Sequence, residues 1–451
     1  MSRDVHASVE RFARALRFPT VSARLHEEAT RSAYTGFLDF IAGSYPHLFA
    51  AADVERDEPY RLVIELPGAN PALDPLLLLA HYDVVDVEEG TEADWTHPPF
   101  AGTVDKEFIW GRGALDDKNS LVAALEASER VMVSGRRLER GLVLAFGGDE
   151  ELMGTNGAAV TATRMREAGR RFHFALDEGA VVAVGMLSSP SKPIALVGIA
   201  EKGQLNVAIS AETTGGHAAM PPARTALGKT AAAVARAERR PFPRRLTYTV
   251  GEFFRALAPH ASFPLSLVYR FPRLFWPLLR VVLARSPQTA ALIRTTQAAT
   301  MAEAGAAPNV LPQGARAVVN VRILPGESVA SVLARYRSIL RREGVAVDVL
   351  DPDDAHEPVP GSPVEHPGYR IVADAAESVC DCIAAPFLVT ASTDSKWYAP
   401  LADAVFRFLP MALTPAEIAR IHGTDERISI ENFTRLIDFY ETVITRECTH
   451  G

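Results

Sequence analysis

Three acids follow an apolar run in the segment AFGGDEELMG, residues 145–154. The apolar run is typical of a buried strand, and Asp149, Glu150 and Glu151 come directly after it. Adjacent carboxylates repel one another, so such a cluster is kept where it holds a positive charge or where water solvates it. The segment therefore predicts either a cation-binding site or a solvated surface, and the other polar groups of the chain decide between them.

Similar polar groups follow other apolar runs. The run LLLLA leads into His81 and Asp83, the glycine-containing loop WGRGALDDK carries Asp116, and the run FHFAL leads into Asp177 and Glu178. Short apolar strands that alternate with helical segments predict a layered α/β sheet, in which functional groups collect beyond the carboxyl ends of the strands. We therefore expect these side chains to meet at one edge of a sheet.

Together these strand ends supply imidazole and carboxylate groups, a donor set that suits zinc. The candidate ligands are His81, Asp116, Glu151, one acid of the pair Asp177 and Glu178, and His422 from the segment IHGTDERI. Five such ligands, one of them a shared carboxylate, suffice to hold two metal ions a few Å apart. Glu150 then remains available as a general base, and Asp83 can accept the second N–H of the His81 ring. Bound metal would offset the repulsion within the acid cluster.

The pattern of the chain changes near residue 200 and changes back near residue 352. Before and after these points, apolar runs alternate with helical segments, whereas the middle carries alternating strands such as GQLNVAIS and ARAVVNVRIL. We predict an α/β fold with a central, mostly parallel sheet flanked by helices, formed by residues 1–199 and 352–451. An inserted α+β lid or dimerisation domain is predicted for residues 200–351, since 451 residues exceed the usual size of one core.

Composition and charge indicate which kinds of binding partner and which compartment to expect. The chain has 47 basic and 55 acidic residues and a net charge of −8, which gives no reason to expect nucleic acid. Charges are spread through the first residues, where a secretory signal would need an apolar core, so we expect a cytoplasmic protein. The three cysteines, Cys380, Cys382 and Cys448, are too few for a disulfide framework and are expected to be reduced thiols.

One segment of the middle part is unusual. Residues 242–285 carry seven arginines and one acid, Glu252, a local charge of 7 − 1 = +6, among many large apolar residues. No uncharged run reaches the ~18 residues that cross a bilayer. Two interpretations stay open: an amphipathic surface for fatty substrates or a membrane, and ordinary helix packing in which arginine stems cover apolar surface.

Segments that match a known family run in order along nearly the whole chain. They are LLLLAHYDVVDV, DWTHPPFAGTV, IWGRGALDDK, FGGDEE, ALDEG, EKGQLNV, GGHAAMPP, PNVLPQGARAVVNVRILPG and IHGTDERI. With these motifs the chain resembles the di-zinc aminoacylases and carboxypeptidases. The insert looks most like the branch of Gly-X carboxypeptidases and N-fatty-acyl-amino acid synthases/hydrolases.

The resemblance implies two zinc ions per chain, with Co²⁺ or Mn²⁺ as alternatives. It implies that His81, Asp116 and one acid of Asp177 and Glu178 bind the first ion, with Asp177 favoured for this branch. Asp116, Glu151 and His422 would bind the second ion, and a cis peptide is expected at Asp116-Asp117.

The resemblance also implies roles outside the metal centre. His217 in the lid matches a histidine that stabilises the tetrahedral oxyanion, and Asn309 and Arg322 match groups that hold the substrate carboxylate. This chain departs from the family pattern at Lys396, where an arginine is usual, at Gly148, where close relatives often carry histidine, and at Asp86, where a proline is usual. Lysine keeps the charge but loses the bidentate fork, so the choice of substrate carboxylate is affected.

We predict a zinc-dependent hydrolase that cleaves an amide bond next to a free carboxylate, in an N-acyl amino acid or at a peptide C-terminus, and releases an amino acid. Two alternatives keep the same fold: a catalytically impaired binding or scaffold protein, and a peripheral lipid-binding module. The expected partners are small molecules or peptides with a free carboxylate, with a membrane surface at residues 242–285 and a homodimer formed through the lid as further expectations.

Overall fold

The computed structural model describes residues 3–185 and 189–449. Its α-helices are α1 (Arg3–Ala15), α2 (Glu28–Ser44), α3 (Pro46–Ala51), α4 (Lys118–Val133), α5 (Ala158–Glu167), α6 (Ala226–Glu238), α7 (Tyr248–Leu257), α8 (Leu265–Arg270), α9 (Trp276–Val282), α10 (Pro287–Ala291), α11 (Val329–Leu340), α12 (Pro367–Val379), α13 (Ser395–Tyr398), α14 (Pro415–Ile418) and α15 (Ile430–Cys448).

The strands are β1 (Asp53–Asp57), β2 (Arg61–Leu66), β3 (Leu76–His81), β4 (Thr103–Val104), β5 (Phe108–Trp110), β6 (Leu142–Gly147), β7 (Phe174–Asp177), β8 (Val182–Ala183), β9 (Ile194–Glu201), β10 (Gly203–Glu212), β11 (Gly216–His217), β12 (Thr296–Ala304), β13 (Val310–Leu311), β14 (Gly314–Ile323), β15 (Ala346–Val349), β16 (Ile383–Val389), β17 (Val405–Arg407), β18 (Ala412–Leu413) and β19 (Arg427–Ser429).

The larger sheet has the order β1-β2-β6-β3-β7-β17-β9-β8-β18, and β16 pairs with β9. Its centre, β6-β3-β7-β17, is parallel, as are the β16–β9 and β18–β8 pairs, whereas β1, β2 and the β17–β9 and β8–β9 pairs are antiparallel. All residues of β3 and β6 are buried, as expected for central strands covered on both faces. The predicted α/β class with a mostly parallel sheet is confirmed.

Helices cover both faces of this sheet. On one face α4 lies against α15 and α1, and the stacked rings of Phe12 and Phe433, 4.5 Å apart, join α1 to α15. On the other face, Ala158 and Ala162 of α5 and Tyr398 of α13 pack on apolar residues of the central strands. The sheet is thereby held rigidly, and the polar groups beyond its strand ends have fixed positions.

A second sheet, β12-β14-β10-β15, is antiparallel throughout. β10 and β14 pair over ten positions, from Gly203–Ile323 to Glu212–Gly314. Side chains of α6 and α11, among them Ala233 and Tyr336, form the core over one face of this sheet. Its strands lie between Gly203 and Val349, in keeping with the predicted insert of residues 200–351, although the domain limits themselves stay a prediction.

Part of the insert packs in a place that the sequence did not indicate. Helix α7 lies on β16 of the larger sheet, not on the second sheet. Phe253 and Leu257 of α7 share an apolar core with Ile383 and Ala385 of β16. The apolar side of α7 is covered by β16, where Ile383 and Ala385 are buried, so residues 247–292 form an arm attached to the larger sheet.

Within the described ranges 3–185 and 189–449, no helix combines the length and apolar character needed to cross a bilayer. The three cysteines are free and buried, and Cys380, Cys382 and Cys448 all belong to the main apolar core. They therefore act as small packing residues.

Candidate metal centre and active site

Two groups of possible metal ligands converge beyond the carboxyl ends of the central strands. Donor atoms of His81, Asp116 and Glu178 all lie within 4.8 Å of one another, and so do those of Asp116, Glu151 and His422. Asp116 belongs to both groups: its Oδ1 is 3.0 Å from His81 Nε2 and its Oδ2 is 3.0 Å from His422 Nε2. The arrangement is that of two cation sites joined by one carboxylate.

The sheet explains why these residues meet. His81 is the last residue of β3 and pairs in register with Gly147, the last residue of β6. The acids Glu150 and Glu151 begin a short 3-10 turn immediately after β6. Because β3 and β6 are parallel neighbours, the groups that follow them lie side by side at the same edge of the sheet. Asp116 joins them from the loop before α4, and the Asp116-Asp117 peptide is cis, as the resemblance implied.

The structure distinguishes between the two acids that follow β7. Asp177 is turned away from the ligand groups: its Oδ2 accepts the backbone N–H of Ser395 at 2.8 Å. Glu178 is turned towards them, with Oε1 4.0 Å from His81 Nε2. Successive residues of an extended chain point to opposite sides, so only one of the two can face the centre. The preference for Asp177 drawn from the resemblance is not favoured by this geometry, which favours the alternative, Glu178.

Burial and close charges shift the pKa values of the ligands. The neighbouring carboxylates of Asp116 and Glu151 raise the pKa of His422 to about 10. Burial by itself would raise the pKa of Asp116, but hydrogen bonds from His422 and His81 outweigh it and lower that pKa. Burial, together with the charges of Asp116 and Asp117, raises the pKa of Glu178 well above its usual value. The acids need positive charge nearby, which is the charge that metal ions supply at such a cluster.

The donor set fits two divalent ions. It offers two imidazoles and three carboxylates, the ligand types that zinc prefers. Glu151 Oε1 lies 3.1 Å from His422 Nε2 but has no aligned hydrogen bond within the described residues, so this buried oxygen is available to a metal ion. The crowding of acids after β6 that the sequence analysis singled out thus coincides with a candidate metal centre.

Asp83 takes two roles in the structure. It lies beside the second ring nitrogen of His81: Nδ1 donates to the Asp83 backbone carbonyl at 3.1 Å and lies 3.3 Å from the carboxylate oxygen Oδ1. The two carboxylate oxygens also accept the backbone N–H groups of Glu150 and Glu151, each at 3.0 Å. The first contact leaves His81 Nε2 free for a metal, and the second holds the acid turn in place.

A buried ion pair that no sequence pattern indicated supports the shared ligand. Arg112 donates to Glu426 at 2.6 Å, with both side chains almost fully buried. Glu426 Oε1 accepts the backbone N–H groups of Leu115 and Asp116, at 2.7 and 3.3 Å, and Arg112 also donates to the carbonyl of His422 at 3.2 Å. The pair therefore connects the loops of two ligands. The letters GRG and GTDER carry these residues, but no local pattern pairs them across 314 positions.

Glu150 reaches the centre without belonging to either ligand group. Its Oε2 is 3.9 Å from His81 Nε2. Burial raises the pKa of Glu150 well above its usual value, and the negative charges of Asp394 and Glu151 act in the same direction. Lys396 counteracts the shift, which places its ammonium group within electrostatic reach of Glu150. Lys396 Nζ is buried and has no hydrogen-bond partner among the described residues, so a bound anion can pair with it.

Glycine at position 148, where close relatives often carry histidine, has a steric cause. A Cβ atom at this position would lie 2.2 Å from the carbonyl oxygen of Pro59 and 2.8 Å from the ring of Tyr82. Tyr82 is fully buried and its hydroxyl donates to the same Pro59 carbonyl at 2.7 Å. The tyrosine thus occupies the space that a side chain at 148 would need, and it does so one residue away from His81.

The other predicted site residues, His217, Asn309 and Arg322, lie in two parts of the structure. His217 and Asn309 belong to a small ribbon, β11–β13, in which the Ala218 N–H donates to the Asn309 carbonyl at 3.0 Å. Both residues are exposed, and no contact between them and the metal ligands is found in the described structure. Arg322 lies on β14. Burial, together with the positive charges of Lys396 and Arg322, lowers the pKa of His356 to about 4.

The assignment of Glu178 leads to a direct prediction. We expect Glu178→Gln to weaken metal binding in the group with His81, so that the purified protein retains one tightly bound metal ion in place of two. Asp177→Asn is expected to keep both ions, because its side chain contacts Ser395 instead. Metal content after dialysis, measured by atomic emission, checks both variants. The opposite result, metal lost from Asp177→Asn alone, would return the ligand role to Asp177.

Comparison with known proteins agrees with the geometry. Residues 77–446 match the sequence family described as peptidase family M20/M25/M40. The chain is 35% identical over 433 residues to the human N-fatty-acyl-amino acid synthase/hydrolase PM20D1, covering 94% of this chain and 84% of that protein. It is 34% identical to the probable carboxypeptidase S-like 2 of Dictyostelium discoideum, covering 96% and 84%.

A solved structure with a similar fold is the M20 family metallo-carboxypeptidase Sso-CP2 from Sulfolobus solfataricus, with a TM-score of 0.72, 18% identity and coverage of 98% of this chain and 99% of that one. The fold and site define a metal-dependent peptidase class. The protein belongs to peptidase family M20/M25/M40, and its similarity to PM20D1 and carboxypeptidase S-like proteins confirms the branch that the sequence motifs indicated. The prediction of an amide-hydrolysing enzyme is confirmed, and the scaffold alternative is not favoured.

Proposed function

We propose that the protein is a di-zinc amidohydrolase that releases an amino acid from N-acyl amino acids with a free carboxylate. The observation that carries this proposal is the position of Glu150, whose Oε2 lies 3.9 Å from His81 Nε2 beside the two ligand groups. The charge of Lys396, whose buried Nζ has no hydrogen-bond partner among the described residues, acts on Glu150. The names of the relatives, which include N-fatty-acyl-amino acid hydrolases and carboxypeptidases, support this substrate class.

In this proposal His81, Asp116 and Glu178 hold one zinc ion, and Asp116, Glu151 and His422 hold the other. When bound, the two ions supply Lewis acidity that polarises the scissile carbonyl and makes water a stronger acid. Asp83 keeps His81 in the tautomer whose Nε2 is free, and the Arg112–Glu426 pair holds Asp116 in position. These contacts fix the ligands before substrate arrives.

Glu150 serves as the general base and then as the general acid. A carboxylate oxygen of Glu150 accepts the proton of the attacking water and later donates it to the nitrogen of the leaving amine. Burial raises the pKa of Glu150 above its usual value, which makes this carboxylate a stronger base than an exposed glutamate. The turn that presents Glu150 is held by the backbone hydrogen bond to Asp83.

We assign the free carboxylate of the substrate to two cations, Lys396 and Arg322. Lys396 has a buried ammonium without a partner, and Arg322 is a partly buried guanidinium on β14. His356 lies within the field of both, and its Nε2 is 3.1 Å from Ser392 Oγ. Charge complementarity to a carboxylate supports this assignment. Asn309 is assigned to the same carboxylate and His217 to the oxyanion on the family resemblance, as is a homodimer formed through the lid domain.

The test is release of free amino acid by the zinc-loaded protein, with long-chain N-acyl amino acids and dipeptides compared with and without a chelator. We expect release from the N-acyl substrates that stops on chelation and returns when zinc is added. Release that a chelator leaves unchanged would contradict the metal assignment. Cleavage of dipeptides alone would make the protein a carboxypeptidase. Cytoplasmic location and the absence of nucleic-acid partners stay predictions from the sequence.

A further inference from the structure

The arm of residues 247–292 presents an apolar face that packs on nothing in the described structure. Its exposed large apolar side chains include Phe263, Leu267, Phe271, Leu274, Leu278 and Val281. Phe263 is 83% exposed and Leu274 is 73% exposed, values close to those of free side chains. Leu267 lies on α8, Leu278 and Val281 lie on α9, and Phe263, Phe271 and Leu274 lie in the segments that precede α8 and join it to α9. Exposed apolar groups this concentrated mark an interaction surface.

This face is separate from the packing of the arm itself. Tyr269 and Leu279, on the same two helices, are buried in the core that the arm shares with β16. The ring of Tyr269 lies 5.0 Å from that of Phe254 on α7. The short helices thus already bury one side, and the stripe from Phe263 to Val281 is a second, outward side.

The charges around this face have one sign. Between Glu252 and Glu303 the chain contains no acid and no lysine but six arginines, although the whole chain carries −8. Four of them, Arg270, Arg273, Arg280 and Arg285, lie exposed on or beside α8 and α9. None of these four makes an ion pair within the described part of the chain. A face of apolar side chains edged by unpaired arginines is complementary to an anionic lipid surface.

A second copy of the chain is a poorer occupant. Self-association about a two-fold axis would bring the same surface of two molecules together, and with it the same arginines. Like charges opposed across an interface cost free energy, and no acid between residues 253 and 302 can relieve that repulsion. Lipid phosphates, by contrast, offer the opposite charge to every arginine.

We propose that the arm docks on an anionic lipid surface, with Phe263, Leu274 and Leu278 entering the acyl layer and the four arginines contacting lipid phosphates. Helix α7 joins the arm to β16, and the segment that follows β16 carries Lys396. Docking would hold the catalytic unit where substrates with fatty acyl chains concentrate. The docking proposal stands on the arm alone and is independent of whether the proposed reaction is correct.

The experiment is co-sedimentation of the full-length, zinc-loaded protein with phosphatidylcholine vesicles, with and without phosphatidylglycerol, at low and high salt. We expect binding that requires phosphatidylglycerol and weakens only in part at high salt, because salt screens the arginines but not the apolar contacts. Phe263→Glu/Leu274→Glu is expected to lower the partition coefficient by about tenfold or more. The two apolar side chains gain free energy when they move from water into the acyl layer, and the glutamates do not. Arg270→Glu/Arg273→Glu should abolish the preference for phosphatidylglycerol.

Val133→Glu is the matched control, because Val133 is an apolar residue of α4 that is 61% exposed outside the arm. It should bind vesicles as the parent does. Hydrolysis of a short, soluble N-acetyl amino acid is measured on the same preparations to show that each variant is folded. Absence of vesicle binding by the parent protein, or equal binding by Phe263→Glu/Leu274→Glu, overturns the proposal. So does a concentration-dependent dimer that this variant abolishes while vesicles are not bound. Vesicle binding without hydrolysis would contradict the proposed reaction alone.

Discussion

Replacement of Glu150 by glutamine is expected to lower kcat for N-acyl amino acid hydrolysis by about a thousandfold or more, within the upper range of general acid–base effects. Glutamine keeps the shape and the hydrogen-bonding length of the side chain but can neither accept nor return the proton. Glu150 is outside both ligand groups, so the metal content of the variant should equal that of the parent. Steady-state kinetics and atomic emission on the same samples measure the two quantities.

Glu167→Gln makes the same chemical change at an exposed position of α5 and serves as the matched control. It should leave both kcat and metal content unchanged. A Glu150→Gln variant with parental kcat would show that another group transfers the proton. A variant that loses metal as well as activity would show that Glu150 is a ligand, contrary to the role proposed here.

Replacement of Arg407 by methionine is expected to lower the free energy of unfolding by about 3–5 kcal/mol, the cost of leaving one buried charge without its partner. Arg407 and Glu201 are both fully buried, and Arg407 Nε lies 2.7 Å from Glu201 Oε2. The same oxygen accepts the hydroxyl of Thr393 at 2.8 Å. Without the guanidinium, the Glu201 carboxylate must stay charged in the interior or take up a proton. Denaturant unfolding followed by circular dichroism measures the change.

Two further variants test whether burial of the charge causes the loss of stability. The double variant Glu201→Gln/Arg407→Met removes both charges and is expected to recover most of the lost stability. Arg171→Met breaks a pair of similar length, 2.7 Å to Asp403, in which both side chains are about half exposed. That surface pair should contribute less than about 1 kcal/mol to the free energy of unfolding. Equal losses in Arg407→Met and Arg171→Met would contradict the role given to burial.

The Arg407–Glu201 pair also has a position that matters for the site. Thr393, which is hydrogen-bonded to Glu201, lies three residues before Lys396. Ser395, in the same segment, donates its backbone N–H to Asp177. Asp177 in turn pairs in register with Arg407 across β7 and β17. The network therefore ties the segment of the proposed carboxylate-binding lysine to the strand that presents Glu178. These residues position groups of the site and do not themselves touch substrate.

The arm and the metal centre differ in how far sequence patterns describe them. The sequence of the arginine-rich segment fits both a lipid surface and ordinary packing. In the structure one side of this segment packs on β16, and the other side is exposed. The two readings could not be separated from composition, because the same apolar residues serve either purpose. Only the burial of each side chain distinguishes them.

Much about this protein follows from its sequence alone. The α/β class, the enzyme class and the family follow from runs of buried-strand residues that end in polar groups, and from motifs in a conserved order along the chain. His81 and Glu151 could be named as candidate ligands because carboxyl ends of parallel strands meet at one edge, a rule that needs no coordinates. Asp116 and His422 were added as candidates from the loop WGRGALDDK and the segment IHGTDERI. Composition alone likewise separated the arginine-rich segment from the rest.

The tertiary structure decided the features that depend on one residue of register or on contacts between distant segments. Glu178 faces the ligand groups and Asp177 does not, because adjacent residues of an extended chain point to opposite sides and a one-residue shift reverses them. The Arg112–Glu426 and Arg407–Glu201 pairs span 314 and 206 positions, so no local pattern announces them. The sequence by itself therefore determined which chemical groups are present and on which edge they gather, whereas packing in three dimensions decided which of them point inward and what holds them there.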